Sequence, residues 1–238
     1  VMVCRIDHNQ MGTGEKKWLK SLYHFSFAGY ENPDNIRFGA LRVLNDDLIS
    51  PGRGFDPHPH SNMEIVTYVV EGQLTHGDSM GNKKTLSRGD MQYMSAGTGL
   101  LHSEFNLGEE TLRLLQIWIL PDRKGNPPEY GDHEFHLEDR KNTWLHMVSP
   151  ESGKAPIRLH QDVNLYALEL EEDLETEFPV GPGRQAYLVQ IEGSARINGT
   201  VLEPKDALET VEEDLKIRAI RNCHFLVIEM SKDPVVAR

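Results

Sequence analysis

Residues 58–60, His-Pro-His, set two imidazoles two positions apart, and residues 102–104, His-Ser-Glu, repeat that spacing with an imidazole and a carboxylate. On a β-strand, positions i and i+2 project from the same face, so each segment presents two ligand groups in one direction. Pro59, with its fixed φ and missing amide donor, puts the first pair at a strand start or edge, where it can open toward a cavity. If the two segments run side by side in an antiparallel barrel, three imidazole nitrogens and one carboxylate oxygen converge. That donor set suits Fe(II), Mn(II), Ni(II), Cu(II) or Zn(II) and leaves coordination positions for water or substrate. A closed structural zinc site is disfavoured, because the set contains no cysteine. Glu64 shares the parity of His58 and His60 if the strand stays regular, and it competes with Glu104 as the carboxylate ligand; otherwise it is an interior hydrogen-bond partner. His8, His24, His133, His136, His146, His160 and His224 read as structural or surface residues, and His76, in "LTHGD", as one that could face the cavity mouth.

The elements that must carry these residues are short. "FGALRVL", "IVTYVV", "MQYMSA", "LRLLQIWIL", "AYLVQI" and "HFLVIEM" are separated by glycines and turn residues at a spacing of about 8 to 12, the rhythm of an all-β sandwich or barrel. Helical periodicity is weak, with one short turn expected around "EKKWLKSLYH" at 15–24. The segment 121–135 contains three prolines and cannot continue a central strand, which places a domain boundary there: residues 1–128 as one domain and 129–238 as the second. "YVVEGQL" at 68–74 resembles "VQIEGSA" at 189–195, and "LSRGDM" at 86–91 resembles "LEPKDA" at 202–207, so both halves look like one β unit. An offset of 121, taken from Glu71 and Glu192, carries His58, His60, His102 and Glu104 onto Pro179, Gly181, Cys223 and Phe225. No second metal site is therefore expected. The acidic run at 168–178 reads as a solvated face.

Bulk composition narrows the function classes. Against 25 Lys and Arg stand 37 Asp and Glu, a net charge of -12 that repels phosphate backbones and anionic lipid surfaces. Direct nucleic-acid binding and membrane association are not expected. The most apolar stretch, 112–120, is short and broken by Arg113 and Gln116. The first residues show no long apolar signal segment, and only two cysteines are present, which suits a reducing compartment. A cytoplasmic, monomeric protein is the expectation.

"HFSFAGY", "FGALRVLNDDLISPGRGFDPHPHSNMEIVTYVVEG", "DSMGN" and "GDMQYMSAGTGLLHSEFN" resemble the pirin family, in particular the bacterial pirin-like proteins described as quercetin 2,3-dioxygenases. The resemblance covers most of residues 15–120. It implies two tandem cupin-type β-barrel domains, with the metal, foremost Fe(II), held by the amino-terminal one through His58, His60, His102 and Glu104. The general cupin pattern, here Gly52, His58, His60, Glu64 and His102 with Gly97 and Asn106 near the last, would instead make Glu64 a ligand. The narrower family leaves Glu64 behind the ligands. The implied activity is oxidative ring opening of a flavonol by O₂ with release of carbon monoxide, Glu104 acting as general base with Glu64 behind it. A metal lowers the pKa of the flavonol hydroxyl next to its carbonyl and favours the anion. The partners are then a small aromatic substrate and O₂. A different class of function, a metal-bearing, redox-sensitive regulatory protein that binds a protein partner, is implied by animal members of the family.

Overall fold

A computed structural model describes residues 2–238. Among these residues there is no α-helix; the chain is built of β-strands with two 3₁₀ turns, His8–Gln10 and Leu137–Arg140. The turn expected near residue 15 is instead a hairpin, Gly12–Lys16 paired antiparallel with Leu19–Tyr23. Leu19, Ser21 and Tyr23 are buried while Lys20 is exposed, so the local period is that of a strand.

The chain forms two compact units. The amino-terminal unit comprises Gly12–Phe135 with Val235–Arg238, and the carboxy-terminal unit comprises the segment ending at Met11 with His136–Pro234. This division differs from a cut between 128 and 129. Strand Glu129–His133 follows the prolines and pairs with Met91–Ser95 as the outermost strand of the amino-terminal unit's larger sheet. Strand Met2–Ile6 pairs with Ala207–Val211 and so belongs to the carboxy-terminal unit. Both assignments depend on hydrogen-bond partners far away in sequence, which local composition does not encode.

In the amino-terminal unit the smaller sheet runs in the order Gly54–His60, Leu100–Phe105, Leu74–Asp78, Lys83–Leu86. The larger sheet has seven strands, with Glu64–Glu71, Leu112–Ile119 and Leu41–Ile49 at its centre. Apolar side chains of both sheets fill the two ends of the barrel: Leu19, Ile49, Val69, Leu74, Leu86, Leu112 and Leu114 at one, Ile65, Met94 and Leu100 at the other. Between them the register lines up a polar row across the larger sheet, Gln92, Thr67, Gln116, Asn45 and Tyr23. Directly paired residues share a face. This row therefore gives the barrel a polar middle.

The carboxy-terminal unit repeats the plan with one seven-stranded and one four-stranded sheet. The same turn occurs in both units: Asp90 Oδ2 accepts from the Ser87 amide at 2.9 Å, and Asp206 Oδ2 from the Glu203 amide at 2.8 Å. Gly72 and Gly193 both have positive φ, and in each case the nearest backbone would meet a Cβ at 2.7 Å or less, which explains the shared Glu-Gly turn. The duplication is thus present, but the single offset of 121 misplaces its strands. Leu100–Phe105 corresponds by pairing to Leu215–Ala219, not to the strand containing Cys223. His58, His102 and Glu104 then correspond to Phe178, Leu215 and Ile217, with Val180 two residues on at the place of His60. All four are core residues. Intervening loops of different length shift the offset between strands. No helix among the described residues is long and apolar enough to cross a membrane.

Candidate metal centre

Strand Gly54–His60 is an edge strand, which is where Pro57 and Pro59 can sit without costing a ladder hydrogen bond. It pairs antiparallel with Leu100–Phe105, so that His58 faces His102 and His60 faces Leu100. The register slips between His102 and Glu104, because Glu104 pairs with Phe55; a bulge separates the two ends of the pairing. The side-by-side arrangement expected from sequence is realised.

His102 Nε2 lies 2.6 Å from His58 Nε2 and 3.0 Å from His60 Nε2. The three ligand atoms fall within 4.8 Å of one another and can hold a metal ion. Nitrogens bound about 2.1 Å from one ion and at right angles to each other stand about 3 Å apart, so this spacing fits a single cation. His58 Nδ1 lies 2.7 Å from the Asp56 carbonyl oxygen. Donation there leaves the Nε2 lone pair directed at the cluster, the outer contact that orients a ligating imidazole. Burial, with the neighbouring His58 adding to it, pushes the His60 imidazole down to about 4. His102, almost wholly buried, is lowered more strongly by burial and by His58 and His60. Both rings are therefore neutral at pH 7, the form that binds metal.

Glu104 projects into the same cavity but stands outside the group of three. Its Oε1 is 3.6 Å from His102 Nδ1, and Gln116 Nε2 and Thr67 Oγ1 approach its two oxygens at 3.4 and 3.5 Å. Burial and the nearby Asp47 raise its carboxyl to about 7.

Glu64 is placed elsewhere. The strand does not continue regularly from His60: the chain turns at 61–63, with Asn62 at φ 48°, and Glu64 opens a strand of the other sheet. It pairs with Ser95, whose hydroxyl donates to its Oε1 at 3.3 Å. Alternation puts Glu64 on the face opposite Thr67, and Thr67 is the residue that reaches Glu104. The shared parity with the histidines does not survive the turn. A place for Glu64 behind the ligands is corrected accordingly.

His76 is buried directly opposite Glu104, its Nε2 2.8 Å from Asp78 Oδ2 and its ring stacked on Tyr130 at 4.2 Å. Its ring also lies 5.9 Å from that of His102. Among the remaining histidines, His8 contacts Asp206, His146 stacks on Tyr166, and His133 and His136 are exposed.

A cavity of about 230 Å³ opens on the cluster, bounded by Phe27, Phe55, Trp118, Tyr23, Ser21, Asn45, Asp47 and Gln116 as well as by His58, His60 and Glu104. Trp118 meets the His60 ring edge-on at 5.1 Å and Phe27 at 5.6 Å. Sequence reading missed this lining. Its signal was Gln116, a polar residue in the middle of the apolar "LRLLQIWIL".

A barrel of two antiparallel sheets holding three converging histidines, followed by a second barrel of the same plan with an apolar centre, defines a two-domain cupin. The chain belongs to the pirin family: the Pirin family model matches residues 6–119, and that of the quercetinase C-terminal cupin domain matches 146–230. It is 38% identical to a protein of Escherichia coli K12 named quercetin 2,3-dioxygenase, covering 93% of this chain and 96% of that one. It is 40% identical to a pirin-like protein of Caulobacter vibrioides, over 96% of this chain and 99% of that protein. Among solved structures, the bacterial pirin YhhW of Escherichia coli in complex with nickel(II) superimposes with a TM-score of 0.90 at 37% identity, covering 97% of this chain and 99% of that one.

Proposed function

We propose that this protein is a metal-dependent dioxygenase that opens the central ring of a flavonol such as quercetin with O₂ and releases carbon monoxide. The observation that carries this reading is the convergence of His58, His60 and His102, with Glu104 beside them, on an aromatic-walled cavity. The relatives named quercetin 2,3-dioxygenase support the choice of substrate. His58, His60 and His102 would hold the metal, with Glu104 as fourth ligand and Fe(II) as the foremost candidate ion; Mn, Ni, Cu and Zn fit the same donors. A divalent ion there supplies Lewis acidity to a substrate oxygen.

The chain's own residues do the rest. Phe27, Phe55 and Trp118 form walls against which a flat ring can lie, and they keep water from it. Glu104, whose carboxyl is already poised near neutrality, takes the proton of the flavonol hydroxyl. Gln116 and Thr67 steady its oxygens while it does so. The reading places the enzyme in the cytoplasm, where the free cysteines, Cys4 exposed and Cys223 buried, stay reduced.

The test is direct. Protein loaded in turn with Fe(II), Mn(II), Ni(II) and Cu(II) is mixed with quercetin in air, and flavonol absorbance, O₂ uptake and carbon monoxide are followed together. Absence of turnover with every ion overturns the reading.

A further inference from the structure

We propose that Asp47, with Asn45 beside it on the same strand face, is the acceptor by which the cavity selects a polyhydroxylated aromatic substrate. The inference rests on the dioxygenase reading and names a specificity determinant for that site.

Strand Leu41–Ile49 carries three consecutive polar residues, Asn45, Asp46 and Asp47, all buried, in a stretch that is otherwise mostly apolar. Alternation sends Asp46 to the opposite face from its neighbours. There Arg113 grips it in a two-point pair, Nε to Oδ1 at 3.0 Å and Nη2 to Oδ2 at 2.7 Å. Asp47 has no such arrangement. It lines the cavity, only 5% exposed, shares a hydrogen bond with Ser21, and its Oδ1 has no partner among the described residues. The side-chain oxygen of Asn45, 4% exposed and in the same lining, also lacks one.

Two buried acceptors that no donor of the chain meets must take their donors from whatever fills the cavity, since leaving each bare costs about 1–3 kcal/mol. The cost is offset if a ligand brings the donors. Phe27, Phe55 and Trp118 line the same cavity and suit a flat ring. A ring that carries hydroxyl donors meets both requirements. At about 230 Å³ the cavity falls below the roughly 300 Å³ at which pockets for whole drug-sized ligands begin, so it encloses part of a three-ring flavonol. The enclosed part is then the metal-facing end together with the hydroxyl that Asp47 reads.

The experiment separates this proposal from the reading beneath it. The full chain loaded with nickel(II) is titrated under argon, so that binding is read without turnover, with quercetin and with 3-hydroxyflavone. The latter keeps the hydroxyl and carbonyl next to each other but has no other hydroxyl. At pH 8, above the value of about 7 to which burial raises the Asp47 carboxyl, native protein is expected to prefer quercetin by at least about tenfold, the worth of one hydrogen bond to a carboxylate. Asp47→Leu should bring that ratio to within about twofold and should raise Tm, because the unpartnered acceptor is gone. Asp47→Asn keeps the shape and decides the matter if the leucine variant does not fold; its ratio should fall between the two. Equal affinity of the native protein for both ligands, or a native-like ratio in Asp47→Asn, overturns the role of Asp47 while quercetin still binds. If neither ligand binds the nickel-loaded native protein, the flavonol reading falls and this inference falls with it.

Discussion

His102 stands directly opposite His58 across an antiparallel pair of strands, and their Nε2 atoms lie 2.6 Å apart. Two imidazoles reach that separation at low cost only when at least one is neutral, and burial keeps His102 neutral throughout the physiological range. The pairing therefore prepares a cation site before any cation arrives.

Metal content follows first. Purified protein should hold about one divalent ion per chain, and a His58→Ala, His102→Ala double variant should lose it, because one imidazole and a carboxylate remain. Elemental analysis on both proteins is sufficient. Retention of the ion by the double variant would place the metal elsewhere.

The role of Glu104 has a pH signature. Its carboxyl is raised to about 7, whereas His60 is held near 4, so above pH 5 only Glu104 among these two must shed a proton to ligate. Apparent metal affinity should climb as pH rises to about 7 and then level. Levelling by pH 5 would show that Glu104 is not a ligand. For Glu104→Gln, turnover should fall about 10²- to 10⁴-fold while metal retention changes far less, since an amide still offers an oxygen but cannot accept the proton.

Glu64 provides the contrast. Because it lies on the opposite face of its strand and contacts Ser95, Glu64→Gln should leave metal content unchanged and turnover within about threefold of native. Loss of metal in that variant would contradict the face assignment.

The twin turns titrate in opposite senses. Burial alone would raise Asp206, but hydrogen bonds from the His8 amide and ring, the Glu203 amide and Arg5 hold it below the usual carboxylate range; Asp90, without an Arg partner on its carboxylate among the described hydrogen bonds, is raised by burial. A depressed carboxyl adds stability above its unfolded pKa of about 3.9, and that stability is lost as pH falls through the folded value. Asp206→Asn should then cost about 2 kcal/mol at pH 7 and progressively less in acid. The sign reverses for Asp90, whose native contribution is largest below about pH 4 and declines as pH rises through its elevated folded value. Urea unfolding of Asp206→Asn and Asp90→Asn at pH 3 and pH 7 checks both.

What the sequence by itself determined was local and periodic. Same-face spacing of two in "HPH" and "HSE" announced ligand pairs, Pro59 announced an edge, and the Glu-Gly and "RGD"/"PKD" turns announced a duplicated barrel, because each depends on a few adjacent residues. Tertiary structure decided everything that depends on which strand lies next to which. It set Glu64 on the far face, since one turn after His60 reverses the parity. It matched His58, His60, His102 and Glu104 to Phe178, Val180, Leu215 and Ile217 rather than to Pro179, Gly181, Cys223 and Phe225, since loop lengths differ between copies. It joined Met2–Ile6 to the carboxy-terminal unit and Glu129–His133 to the amino-terminal one. It also gathered Thr67, Gln116, Asn45 and Asp47 from three strands into one polar wall. Ladder hydrogen bonds join residues by register and not by sequence distance, and register is chosen by the burial of whole sheets.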